Sequence, residues 1–170
     1  MITVAFTGPE CSGKTTLAKA MSEELNGVFV PEYVRSYFEG RSTSYELHDL
    51  DRIAQGQLDA VEQAIKKNPD FLFIDTEMLV MKIWSEEKFN AISTLISQAY
   101  QNQAFDLIVL CKPDVPYEAD ELRENPHDRD RLYQIYLAEL QQSNQNFIEA
   151  QGTLNERIQY LKTEIQKISL

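Results

Sequence analysis

Residues Gly8-Pro9-Glu10-Cys11-Ser12-Gly13-Lys14-Thr15 match G-x-x-x-x-G-K-[ST] at every fixed position. An apolar, β-branched run, Ile2-Thr3-Val4-Ala5-Phe6, precedes them and reads as a buried strand. Thr16 to Met21 and Leu25 follow at helical spacing. Strand, glycine-rich loop and helix in that order make the pattern a phosphate-binding loop; the plain alternative is a turn that only joins strand to helix. Gly8 and Gly13 let the backbone curl, so that successive N–H groups from Glu10, Cys11, Ser12, Gly13, Lys14, Thr15 and Thr16 point inward as an anion nest. The positive end of the following helix dipole adds to it. Lys14 would reach the β- and γ-phosphates of ATP, and the Thr15 hydroxyl would ligate Mg²⁺.

The rest of the chain alternates in the same way. Short apolar runs at 27–30, 71–74, 105–111 and 147–150 read as further strands. Pro31 ends the second of the five. A helix is expected to start at Glu32. A long amphipathic helix is expected over about 45–67, carrying Leu47, Leu50, Ile53, Ala54, Leu58, Val61 and Ile65 and stopping near Asn68-Pro69. Other helices are expected through Leu79 to Trp84, about Phe89 to Tyr100, Leu132 to Leu140, and after Gly152. Such alternation implies parallel pairing through right-handed crossovers. The expected fold is α/β, a single three-layer domain over 1–170 of the P-loop NTPase/kinase type with a mostly parallel five-stranded sheet. Ligand should sit beyond the C-terminal ends of the strands.

The formal net charge of −11 argues against nucleic acid or an anionic membrane as main partner, because both need basic surface. A small molecule is the expected partner, and a homo-oligomer is compatible with the chain. Two cysteines, Cys11 and Cys111, give no disulfide framework, and no leader or spanning run is evident, so a cytoplasmic protein is expected. Cys11 reads as a small loop residue offering a backbone N–H.

Several residues outside the loop could carry chemistry. Asp75 closes an apolar strand, as a Walker B acid does, and would hold Mg²⁺ beside Thr15; its other reading is a helix N-cap, with Glu77 a less certain member of the site. Glu32 follows the second strand. It would position or deprotonate an acceptor hydroxyl, or else be a first-turn glutamate favoured by the helix dipole. Arg35 could pair with Glu32 or contact phosphate, and Tyr33 and Tyr37 could stack on a flat ring, although aromatics at this spacing are more often core. Arg123, Arg129 and Arg131 lie in a mixed-charge segment, about 117–131, that reads as a lid bringing arginines over the γ-phosphate, or as a surface turn with weak ion pairs. Gly152 lies where backbone could meet adenine. His48 and His127 lack metal-ligand spacing. Cys111-Lys112-Pro113-Asp114 only approximates the N-K-x-D that reads guanine, which sets a GTPase aside.

Taken together, G-P-E-C-S-G-K-T-T-L-A, P-E-Y-V-R-S-Y, L-F-I-D-T-E, D-E-L-R and the later Arg131 resemble the ribosylnicotinamide kinase domain of the bacterial NadR-type enzymes over essentially the whole chain. The resemblance implies ATP-dependent phosphorylation of the 5′-hydroxyl of nicotinamide riboside. It implies that Glu10 and the loop bind phosphate, that Asp75 serves the metal, that Glu32, Tyr33 and Arg35 meet substrate, and that Arg123 and Arg131 belong to the lid. Two ring-stacking aromatics of the family are missing, one replaced by Pro31 and one falling near Ala60; Tyr33, Tyr37 or Trp84 could substitute. The alternative functions are an ATP-binding switch without a small-molecule acceptor, and a kinase for another nucleoside.

Overall fold

The computed structural model describes residues 1–40, 44–120 and 127–168. Five strands are β1 (Ile2–Thr7), β2 (Val28–Val30), β3 (Phe71–Asp75), β4 (Leu107–Cys111) and β5 (Phe147–Ala150). They form one sheet in the order β2-β3-β1-β4-β5, and every pairing is parallel. The helices are α1 (Lys14–Glu24), α2 (Tyr33–Phe38), α3 (Leu47–Ile65), α4 (Met78–Phe89), α5 (Thr94–Asn102), α6 (Arg129–Gln142) and α7 (Leu154–Ile168).

Strand periodicity decides the layers. Val4 and Phe6 of β1, Phe73 of β3 and Val109 of β4 point to one face, where Leu17 and Met21 of α1 and Leu161 and Ile165 of α7 cover them. The alternate residues point the other way. Ala5, Leu72 and Ile74 meet Ala64 of α3, and Ile108 and Leu110 meet Leu79 and Ile83 of α4 with Leu132 and Tyr136 of α6. A sheet buried on both faces explains why β3 and β4 read as continuous apolar runs.

Local signals fix the ends. Glu46 and Asp49 form a capping box at the start of α3. Ser93 accepts from the N–H of Ile96 at the start of α5. The N-cap of α4 is Glu77, whose side chain accepts from the N–H of Leu79, so the capping role considered for Asp75 belongs two residues later. Asp75 is the last residue of β3 and therefore lies at the C-terminal edge of the sheet, beside the loop after β1.

Candidate active site

The loop between β1 and α1 is held open by its own chain. Gly8 has φ +128°, and a Cβ there would come within 2.7 Å of the Cys111 carbonyl oxygen, so glycine is required by both conformation and space. Gly13 is the left-handed N-cap of α1 at φ +85°. Cys11 also has positive φ, at 50°. Its thiol donates to the Pro116 carbonyl at 3.4 Å and accepts from the Glu118 N–H at 3.2 Å, which makes it a tie to the segment after β4 as well as a loop residue.

Three cations grip the loop's carbonyls. Lys14 Nζ donates to Gly8 O at 3.0 Å and Pro9 O at 2.8 Å. Arg129 Nη1 donates to Cys11 O at 2.9 Å and Val115 O at 3.1 Å. Arg157 Nη1 donates to Ser12 O at 2.7 Å. Sequence reasoning missed Arg157. It is 2 % exposed, and it also reaches Gly152 O at 3.0 Å, Lys112 O at 3.0 Å and the Asp114 carboxylate. The signal was present, because residues 157, 161 and 165 share the buried face of α7 at i, i+4 spacing and only the first is polar. Asp114 also accepts from the Gly152 N–H at 2.7 Å. Asp114 is thus committed to Arg157 and Gly152. Its bond to the Gly152 N–H also fixes that backbone just after β5.

Asp75 is fully buried beside the loop, and neither carboxylate oxygen has a hydrogen-bond partner among the described residues. Burial first, and then the nearby Glu32 charge, push its pKa up to about 6, against the pull of the Thr15 hydroxyl, Lys14 and Arg35. A carboxylate left without donors and next to a threonine hydroxyl fits a hard divalent cation that keeps most of its waters. No group of three or more His, Cys, Asp or Glu side chains gathers as a metal cluster among the described residues. Glu77 is also buried, with its pKa raised by desolvation, but one oxygen accepts from the Leu79 N–H and from Gln103 Nε2, each at 2.6 Å. Its role is to cap α4.

Glu32 is the N-cap residue of α2 without capping through its side chain, which accepts from the Thr76 hydroxyl at 3.2 Å and lies 3.8 Å from Arg35 Nε. Thr76 has φ +76°, so the turn that follows Asp75 is itself in a strained conformation and aims its hydroxyl at Glu32. Arg35 Nη1 meets both Asp120 oxygens at 2.8 and 2.7 Å.

Glu10, Lys14, Thr15, Glu32 and Arg35 line a cavity of about 450 Å³ that runs from the phosphate loop outward between α2, α4 and α6. Val80, Ile83, Trp84 and Glu87 form its α4 wall, and Leu132 and Tyr136 its α6 wall. Burial first, and then the charges of Glu77, Glu32, Glu10 and Glu87, hold the Tyr136 hydroxyl well above the ordinary tyrosine range.

Other expected site residues lie elsewhere. Tyr33 is not in the cavity; its ring lies over Gly56 of α3, where a Cβ would come within 2.1 Å of it. Arg131 does not line the cavity either, because Glu87 and Asp128 hold its guanidinium outside the rim. Thr16, by contrast, is exposed on the first turn of α1 and lines the cavity beside Thr15. Arg123 lies outside the described residues. Ala60 packs on the core between α3 and the sheet rather than facing the cavity.

Fold and loop together define a P-loop nucleotide-binding protein, with its site at the C-terminal ends of β1, β3 and β4. The AAA domain family profile matches residues 3–157, and the chain belongs to that family. The trifunctional NAD biosynthesis/regulator protein NadR of Escherichia coli (strain K12) is 27% identical over 152 residues. The match takes in 86% of this chain but 37% of that protein, so the chain spans little more than a third of the length of this curated relative. A crystal structure of NadR protein in complex with NR superposes with a TM-score of 0.80 at 20% identity, over 98% of this chain and 50% of that one. A deoxyadenosine kinase from M. mycoides with bound dATP superposes with a TM-score of 0.64 at 13% identity, over 98% of this chain and 100% of that one. These likenesses bear out the expected fold, here with a sheet that is parallel throughout. Among the described residues no helix is long and apolar enough to cross a membrane.

Proposed function

We propose that this chain is an ATP-dependent nucleoside kinase whose acceptor is the 5′-hydroxyl of nicotinamide riboside and whose product is nicotinamide mononucleotide. The observation that carries the reading is a cavity joining the phosphate loop, Glu32 and the apolar side chains of α4 and α6, with the unpartnered Asp75 buried beside the loop. At about 450 Å³ the cavity is in the range of small-ligand sites. The likeness to NadR-type proteins supports the choice of nucleoside.

In this reading the loop N–H groups and Lys14 bind the β- and γ-phosphates, Lys14 exchanging its carbonyl partners Gly8 and Pro9 for phosphate oxygens. Thr15 and Asp75 would hold Mg²⁺, which supplies charge neutralisation on the phosphates when bound. Glu32 accepts the acceptor hydroxyl's proton or holds that hydroxyl in line, and Thr76 and Arg35 keep its carboxylate aimed. Arg129 keeps the loop's carbonyls turned outward.

The test is ADP formation from Mg-ATP with a panel of nucleosides, with products read by mass. Stimulation by nicotinamide riboside with one phosphate added supports the reading. Stimulation by another nucleoside moves the specificity, and nucleotide binding without any acceptor effect favours a switch. Lys14→Ala should abolish turnover with the circular dichroism spectrum unchanged; retained turnover would remove the loop from the chemistry.

A further inference from the structure

Three aromatic residues, Tyr33, Tyr37 and Trp84, lie on elements around the cavity, and their surroundings separate them. Tyr33 is spent on Gly56. Tyr37 is buried, with its hydroxyl donating to Asp49 at 2.6 Å and its ring edge-on to Phe38. Trp84 lines the cavity and is only partly buried.

The placement of Trp84 follows from the helix period. Val80, Ile83, Trp84 and Glu87 fall at i, i+3, i+4 and i+7, so one stripe of α4 faces the cavity from its phosphate end outward. That stripe is about 10 Å long at 1.5 Å per residue, enough for a ribose followed by one six-membered ring. α4 starts three residues after Asp75, so Val80 lies at the sugar end and Trp84 one turn farther out. The indole is also fixed in orientation. Its Nε1 donates to the Tyr45 hydroxyl at 2.6 Å, and the two rings meet at 71° with centroids 5.1 Å apart. Tyr45 in turn carries Lys88 Nζ 3.8 Å from its ring centroid. A ring held by its polar edge and one flank loses little freedom when a second ring lies on it. The electron-rich indole face favours an electron-poor base; the charged groups lining the cavity are mixed, Glu10, Glu32 and Glu87 with Lys14, Arg35 and Lys88, so the preference rests on the indole.

We infer that Trp84 is the platform on which the aromatic base of the acceptor nucleoside lies, and that the class it selects is a nucleoside with a flat, electron-poor ring. This rests on the kinase reading above but assigns the specificity to a residue outside the family's motif positions.

The chain has one tryptophan, so its emission reports on this position alone. Titration of the wild-type protein with the nucleoside that stimulates ADP formation should quench that emission, with a midpoint near its KM. Trp84→Leu should raise KM about tenfold or more with kcat within about threefold, and Trp84→Phe should recover most of the loss, as expected when a stacked ring is removed and partly restored. An accepted nucleoside that leaves the emission unchanged at saturation overturns the inference, as does a Trp84→Leu variant of normal KM. Quenching and a KM shift with an accepted nucleoside other than nicotinamide riboside supports Trp84 and overturns only the choice of substrate. Absence of any acceptor overturns both.

Discussion

Arg157→Met tests how the phosphate loop is held. The guanidinium is 2 % exposed and donates to carbonyls from three separate segments, those of Ser12, Lys112 and Gly152, as well as to Asp114. Methionine fills much of the volume but donates nothing. Leaving a buried ion pair without one partner costs about 3–5 kcal/mol. The Asp114 side chain is 29% exposed, so water recovers part of its solvation and the low end applies. A loss of about 3 kcal/mol with a urea m-value of about 2 kcal/mol per molar moves the unfolding midpoint down by about 1.5 M. Urea denaturation followed by circular dichroism measures this, and ADP titration below the transition measures the loop. Nucleotide affinity should fall as well, because Ser12 O is released from the clamp. Arg157→Met combined with Asp114→Asn should cost less than the two changes summed, since they share one interaction. A stability loss under about 1 kcal/mol with unchanged ADP affinity would refute the clamp.

Three further perturbations separate chemistry from architecture. Glu32→Gln keeps the shape and the Thr76 contact but cannot take a proton; kcat should fall by about two to four orders of magnitude with nucleotide Kd unchanged, and an unchanged kcat would exclude it as base. Asp75 has a folded pKa pushed up to about 6 from 3.8, so its stabilising protonated form is complete below about pH 4 and is lost as pH rises through 6. Without Mg²⁺, Asp75→Asn should therefore gain about 2–3 kcal/mol over wild type at pH 8 relative to pH 4 by urea unfolding, while losing turnover; parallel pH profiles would contradict the buried charge. Gly56→Ala puts a Cβ within 2.1 Å of the Tyr33 ring and should cost about 1–3 kcal/mol by thermal or urea unfolding, and a neutral result would mean that Tyr33 moves freely.

The strands and their order of appearance were legible because each is a short apolar run between breakers, and all five occur within two residues of where periodicity puts their ends. The phosphate loop was legible because its function needs glycine at fixed offsets. What pattern could not give was direction. Sequence left Tyr33 open between a stacking and a core role and offered Trp84 only as a substitute; only packing shows that Gly56 receives one while the cavity receives the other. Arg131 read either as a lid cation or as a member of surface ion pairs; the partner it has, Glu87 on α4, lies 44 residues away, a pairing that no local window contains. Asp75 read correctly as the end of an apolar strand, but the cap of α4 went to Glu77, because Thr76 with its positive φ turns the chain before the helix begins.

The arginines and the lysine around the loop resolve an apparent conflict in a chain of net charge −11. An anion nest requires backbone N–H groups turned inward, and a peptide unit can turn its N–H inward only if its carbonyl turns outward. Carbonyls turned out of a tight loop need donors, since leaving a buried backbone acceptor unpaired is costly. Lys14, Arg129 and Arg157 supply those donors to Gly8, Pro9, Cys11 and Ser12. They are drawn from three different helices, so the loop is shaped before any phosphate arrives, and it is shaped by the same charges that make this one spot positive. Only Lys14 is released for the ligand in the proposed mechanism, while Arg129 and Arg157 stay on the carbonyls. An acidic protein can thus bind a triphosphate without a basic surface, because the few cations it has act through the backbone they orient.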